Sequence, residues 1–331
     1  MEKPIIGYES VPGHTAGRTR RDFFSLTGTI AVGATAGQDR AKSAERDTPQ
    51  IGILLATTFT TGTLEARLDA AKVCGLACVQ MSMACANLPE MPDQIPTELP
   101  GRIYREAAAR GIAIGSVTGT FNMSHPDVEH RRTGLRRLRV LAEACPEMRT
   151  TFIHICTGTR DPNSMWRRHP DNDTSEAWRD MAACVREAAD IARQAKVVLA
   201  FEPEMSNVVG SAKKARRLLD EVGSPHLKVT IDPANLFHAG ELTRMKEILD
   251  EAFALLGKDV VLGHAKDLDH DGEAGHMAAG QGVLDYDRYM ALLRKYHFQG
   301  PLLLHGLTPA QVPGCMAFLR ARMVSSLHVA V

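Results

Sequence analysis

An excess of charge of either sign is missing from this sequence. Lys plus Arg and Asp plus Glu both number 39 in 331 residues, for a formal net charge of zero. A chain that grips nucleic acid by its phosphates carries a basic surface, so no nucleic-acid partner is expected. Aromatic residues are scarce at 5%, which also argues against a platform for stacking bases. The seven cysteines form no metal-binding pattern. Cys74 and Cys78 are close, but no second close pair completes a zinc cluster, and most of the seven read as small buried hydrophobes. No Gly-rich dinucleotide fingerprint follows the first strand-like run, which weakens an open doubly wound sheet as the architecture.

The N-terminus differs in composition from the rest. Thr19-Arg20-Arg21-Asp22-Phe23-Phe24-Ser25-Leu26 sets paired arginines before Phe and Leu, a mildly apolar stretch runs to Ala36, and Ala34-Thr35-Ala36 offers a small-x-small cleavage site. This order of basic, apolar and small residues reads as a twin-arginine export signal over residues 1–36, with a polar linker over 37–49. The apolar part is too short and too mild to span a bilayer, so no stable membrane association is expected. The expected location is periplasmic or otherwise extracytoplasmic. Export of a folded chain would let metal loading finish before translocation.

From residue 50 to 328 short apolar runs alternate with amphipathic helical stretches, eight times. The runs are IGILLAT (51–57), CVQMSM (78–83), IAIGSVTG (112–119), TFIHICTG (151–158), VVLAFEPE (197–204), LKVTIDP (227–233), VVLGHAKD (260–267) and PLLLHGL (301–307). Strands alternating with helices imply parallel βαβ units, and eight such units close into a single (β/α)8 TIM barrel.

Four residues able to ligate a metal come near the ends of the last four runs: Glu202, Asp232, His264 and His305. The loops after the strands converge over one mouth of such a barrel, where its chemistry sits. Side chains alternate along a strand. With the apolar alternates packed on helices, these four point inward, as do His154 and Cys156 of the fourth run. Two carboxylates and two imidazoles suit one divalent ion of the Mn, Co, Zn, Mg or Fe type. A substrate with adjacent carbonyl and hydroxyl oxygens could complete the coordination, so that the α-proton leaves toward a base while an enediolate is stabilised.

FEPE, TIDPANLFHAG, GHAKD and AAGQGVLDYDRYMALLRKYHFQGPLLLHGL resemble the sugar phosphate isomerase/epimerase family of xylose isomerase-like barrels. The resemblance spans about residues 50–325 and is most specific from about 197 to 307. It implies that Glu202, Asp232 and His264 bind one divalent metal, and that Gly280, Gly282 and Asp285 form the family's G-x-G-x-x-D loop. Dimers and tetramers are common in that family, so a homo-oligomer is implied. The family usually ends its eighth strand with Glu, and in its epimerases this residue and the strand-five Glu act as opposed bases. Here His305 stands in that place, able to bind metal or to move a proton.

The remaining candidates each have two readings. Glu204 is an alternative ligand or a substrate contact. Asn207 and Asn235 bind sugar hydroxyls or shape turns. His154 is a satisfied core residue or a substrate contact. Lys266 neutralises an oxyanion or pairs with Asp267 or Asp285. The long loop after the fourth run, with Arg160, Trp166, His169 and Asn172, is a substrate wall or a plain connection. Trp166 is placed to stack on a sugar face.

The leading expectation is a metal-dependent isomerase or epimerase acting on a small carbohydrate, with Glu202, His305, His154 and Lys266 as catalytic groups. Export favours an unphosphorylated sugar or keto-sugar. A 3-keto-glycoside lyase and a sugar-binding protein without turnover are the alternatives. A nuclease of the same superfamily would need a multi-metal cluster and a basic face.

Overall fold

The computed structural model describes residues 49–325. The proposed signal and nearly all of the linker lie outside the described residues. Eight parallel strands form the barrel: β1 (Ile51–Leu54), β2 (Cys78–Met81), β3 (Ala113–Thr118), β4 (Phe152–Cys156), β5 (Val198–Glu202), β6 (Leu227–Ile231), β7 (Val260–Asp267) and, after the short β8 (Met277–Ala278), β9 (Leu302–Leu304). Each pairs with its neighbour, and β6–β7, β7–β9 and β9–β1 pairings close the ring, so this is the expected α/β barrel. β8 returns antiparallel onto the end of β7, pairing Lys266 with Ala278 and Asp267 with Met277.

The helices start where their sequences supply caps. Thr63, Asp127, Thr174, Ser211 and Asp285 each accept a backbone N–H from the first turn that follows, a contribution of about 1 kcal/mol apiece. Two helices end on residues with positive φ, Lys196 at 58° and Gly223 at 61°. Their buried faces pack on outward-facing strand residues such as Ile53, Ile153, Ile155, Leu199, Phe201 and Ile231, all fully buried. The alternation read from the sequence therefore holds.

Inside the ring, Leu54, Cys78 and Leu303 form a separate apolar cluster, the floor beneath the polar mouth. Gly52 belongs to this layer. A Cβ there would lie 2.6 Å from the Cys78 carbonyl oxygen and 2.7 Å from Leu303 Cδ2. Burial pushes the Cys78 thiol up to about 12, so it is inert packing. All seven cysteines are free. Register shifts interrupt the ladders between Val79 and Gln80 and between Val229 and Thr230. Such irregularities re-aim side chains, and both Gln80 and Thr230 serve the site. No helix among the described residues is long and apolar enough to cross a membrane.

Candidate metal and active site

The strand ends bring the predicted groups to one point. Glu202 ends β5, Asp232 directly follows β6, His264 and Lys266 lie on β7, His154 lies on β4, and His305 follows β9. All but the half-buried His305 are buried. Asp232 Oδ1 accepts the Ala234 N–H at 3.1 Å, which caps the 3-10 turn Pro233–Asn235 and turns Oδ2 to the centre. His264 Nδ1 lies 3.3 Å from Glu202 Oε2 and 3.8 Å from Asp232 Oδ2. His305 Nδ1 is 3.9 Å and Lys266 Nζ 3.4 Å from the same Asp232 oxygen. His154 Nε2 is 3.6 Å from Glu202 Oε2.

Hydrogen bonds behind these groups fix their tautomers. The Thr230 hydroxyl donates its one hydrogen to the Ala200 carbonyl at 3.2 Å, so it accepts from His154 Nδ1 at 3.0 Å. His154 Nε2 then presents a lone pair to the centre. The Gln80 amide nitrogen donates to Thr118 Oγ1 at 3.1 Å, while Gln80 Oε1 accepts from Ser116 Oγ at 3.2 Å and from His264 Nε2 at 3.4 Å. That leaves His264 Nδ1 as the second inward lone pair. Oriented imidazoles of this kind are how metal-binding histidines are held.

Both His264 Nδ1 and His305 Nδ1 are buried without a hydrogen-bond partner. Their contacts with the carboxylates, from 3.3 to 3.9 Å, are charge pairings. Buried orphan atoms of this sort call for an explanation, and a cation held among them supplies one. Ligand atoms of His154, Glu202 and His264 lie within 4.8 Å of one another, as do those of Asp232, His264 and His305. The two triads share His264. Nitrogen and oxygen donors without thiolate suit a borderline or hard divalent ion. Cys156, though inward, points its thiol at the Phe121 carbonyl, 3.6 Å away.

The charges have adjusted to one another. Burial works to raise the carboxyls of Glu202 and Asp232. Against it, His264 holds Glu202 low, and Lys266 with His264 and His305 hold Asp232 well below the carboxylate range. Burial works to lower His264, yet the two carboxylates lift it to about 9, so in the metal-free protein a proton takes the cation's place. Burial and the neighbouring His264 depress His154 to about 3 and keep it neutral. Burial lowers His305 as well.

A cavity of about 450 Å³ opens above this cluster, lined by Glu202, His154, Lys266, His305, Asn235 and Trp166 among others. Trp166 is 49% exposed, a rim position. Asn235 donates to Glu202 Oε1 and accepts the Gly275 N–H at 3.0 Å, tying the loop after β7 to the site. Glu204 also lines the cavity, but its oxygens accept from the Ser206 N–H at 3.0 Å and Asn207 Nδ2 at 2.6 Å. Burial raises its carboxyl to about 7, and Glu202 adds to the effect.

Some expectations need correction. Asn207 is fully buried and does not line the cavity; it accepts from the Gly158 N–H at 2.7 Å and donates to Glu204 and to the Met165 carbonyl at 3.3 Å. It braces the loop after β4, where a buried amide finds partners in place of solvent or ligand. His169 caps the 3-10 turn Pro170–Asp173 through Nδ1, 3.2 Å from the Asp171 N–H, and does not line the cavity. Arg160 and Asn172 likewise hold the loop internally. Lys266 pairs with Asp232 rather than Asp267 or Asp285. Asp267 instead accepts the N–H groups of Gly280 at 2.9 Å and Leu284 at 2.9 Å, and Asp285 caps the next helix, so the G-x-G-x-x-D segment shapes a loop.

Sequence reasoning missed Gln80, Ser116, Thr118 and Thr230, which support the histidines, and Glu90, which lines the cavity and accepts from Thr120 Oγ1 at 2.7 Å. A signal for four of them was present: polar residues at alternate, inward positions of otherwise apolar strands.

The architecture and the cluster at its open end define a closed (β/α)8 barrel with a carboxylate–imidazole site fit for one divalent ion. Residues 68–320 match the family described as xylose isomerase-like TIM barrel, and the chain belongs to that family. No curated protein matches it. Among solved structures, a 3-keto-D-glucoside 4-epimerase from E. coli is 18% identical with TM-score 0.62, over 82% of this chain and 99% of that one. A D-tagatose 3-epimerase-like protein is 12% identical with TM-score 0.68, over 85% and 100%. A xylose isomerase-like barrel protein from Mycobacterium smegmatis, in complex with magnesium, is 16% identical with TM-score 0.64, over 86% and 99%. At these identities the likeness speaks for the fold.

Proposed function

We propose that this chain is a divalent-metal-dependent isomerase or epimerase of a small carbohydrate, working by proton abstraction next to a carbonyl. The observation that carries the reading is the pair of orphan imidazole nitrogens, on His264 and His305, facing the Glu202 and Asp232 carboxylates beneath the cavity. Glu202, Asp232, His264 and His305 would hold the ion. When bound, it polarises a substrate carbonyl and offsets the charge that grows on its oxygen.

The protein's own groups do the rest. Lys266 sets an ammonium at the cavity wall, where it can neutralise an oxyanion. His154, kept neutral with Nε2 inward, can accept a hydrogen bond from a substrate hydroxyl, and Glu202 is the carboxylate on the same side, placed to take or return a proton. Asn235 orients Glu202. Trp166 gives the rim an aromatic face for a sugar ring. The sugar epimerases among the similar structures support this substrate class. The twin-arginine pattern read in residues 1–36, taken as an export signal, would make this a periplasmic enzyme and favours an unphosphorylated sugar or keto-sugar.

His305 in the position where related epimerases carry a second glutamate supports a second reading. A 3-keto-glycoside lyase removes an α-proton and then eliminates, which needs one base and the same ion. Incubation with candidate sugars and keto-glycosides in deuterated water tests all of this. An isomerase or epimerase places solvent deuterium on the carbon next to the carbonyl, a lyase releases the aglycone, and a sugar-binding protein without turnover does neither. E202Q and H264A should each lose the metal of this site and turnover; full metal content with full turnover would overturn the site.

A further inference from the structure

We infer that the loop between β7 and β8 carries a second divalent-cation site, built from Asp269, His270 Nδ1 and His276 Nε2 with Glu273 behind the two imidazoles, and suited to zinc. It is separate from the inner site and independent of the activity proposed above. His270 Nδ1 contacts Asp269 Oδ1, and its Nε2 lies 3.1 Å from Glu273 Oε1. His276 places Nε2 at 3.4 Å from the same Asp269 oxygen and Nδ1 at 3.6 Å from the same Glu273 oxygen. The two rings lie 5.1 Å apart. Ligand atoms of Asp269, His270 and His276 all fall within 4.8 Å of one another.

Two imidazoles facing two shared carboxylates differ from an ordinary surface ion pair. An N–H on His270 Nε2 and on His276 Nδ1 faces Glu273 Oε1, which leaves His270 Nδ1 and His276 Nε2 to offer lone pairs beside Asp269. Two nitrogens and one carboxylate, with the fourth position left to water, match a four-coordinate zinc site, and the imidazoles disfavour magnesium or calcium. The backbone beneath the cluster is already fixed. Asp271 Oδ2 accepts the Leu242 N–H at 2.7 Å, and the Gly272 N–H donates to the Phe237 carbonyl at 3.2 Å. The Gly275 N–H donates to the Ala234 carbonyl at 3.1 Å and to Asn235 Oδ1 at 3.0 Å. The ligands thus project from a loop anchored at three points, which lowers the entropy cost of gathering them.

The loop also reaches the inner site. Ala274 lines the cavity above the inner site, and Gly275 bonds the amide that orients Glu202. A cation on the outer cluster would clip this wall of the cavity in place.

The test uses the full chain without a histidine tag, dialysed to equilibrium against zinc chloride and analysed for metal. H270A/H276A changes only exposed side chains and should fold as the parent does. The expected result is one fewer zinc per chain in H270A/H276A than in the parent. E202Q/H264A should keep one zinc and lose it when H270A/H276A is added. Hydrogen exchange should slow over residues 268–276 on zinc addition in the parent and not in H270A/H276A. Equal zinc content in the parent and H270A/H276A, with exchange of the loop unmoved by zinc, would reduce the cluster to a surface ion-pair network and overturn the inference. If the parent and E202Q/H264A bind the same amount while H270A/H276A loses one equivalent, the outer site stands and the inner one fails.

Discussion

Replacing Gln80 by Leu should weaken metal binding although Gln80 is not a ligand. Its Oε1 sits 3.4 Å from His264 Nε2 and fixes the tautomer that turns Nδ1 toward Glu202 and Asp232. Leu keeps the bulk and removes the acceptor. The His264 ring is then free to carry its proton on either nitrogen, and the Ser116 hydroxyl also loses its acceptor, 3.2 Å away. Loss of such an outer partner typically weakens metal affinity about 10- to 100-fold, or roughly 1.4–2.7 kcal/mol. Leaving a buried donor unpaired should also cost about 1–3 kcal/mol of stability. Titration calorimetry with Mn²⁺ or Zn²⁺ reads the first effect and denaturant unfolding the second. Q80E is the control: its carboxylate still accepts from His264 Nε2, so its affinity should stay closer to the parent's. A folded Q80L protein that binds metal as tightly as the parent would refute the tautomer argument.

Three further outcomes are expected. Glu204 titrates near 7 in the folded chain against an ordinary 4.5, chiefly through burial; the folded state therefore holds its proton longer than the unfolded one. Stability of the metal-free protein should fall as pH rises between those values, and the fall should be absent in E204Q, as read by denaturant unfolding across pH. Asn207→Ala removes the brace between Glu204, Gly158 and Met165; it should cost about 1–3 kcal/mol and speed proteolysis within residues 158–172, whereas an intact loop would contradict the bracing role. Trp166→Ala should raise KM several-fold with kcat nearly unchanged, because a half-exposed rim residue adds binding that substrate and transition state share; a collapse of kcat alone would place it in the chemistry.

Much of this protein is legible in its sequence. The eight strand–helix units are local patterns, and alternation along each strand assigns an inward or outward face to every residue. That is enough to put Glu202, Asp232, His264, His154 and His305 in one mouth once the ring is closed, since equivalent positions on successive strands must converge. The partners of those residues depend on contacts that no local pattern records. His264 meets Gln80 across 184 residues of chain, and His154 meets Thr230 across 76. Register shifts interrupt the ladders beside both Gln80 and Thr230. Only the folded barrel decided that Asn207 braces a loop, that Lys266 pairs with Asp232, and that two imidazole nitrogens stand without partners, because each of these follows from distances between strands and not from order along one.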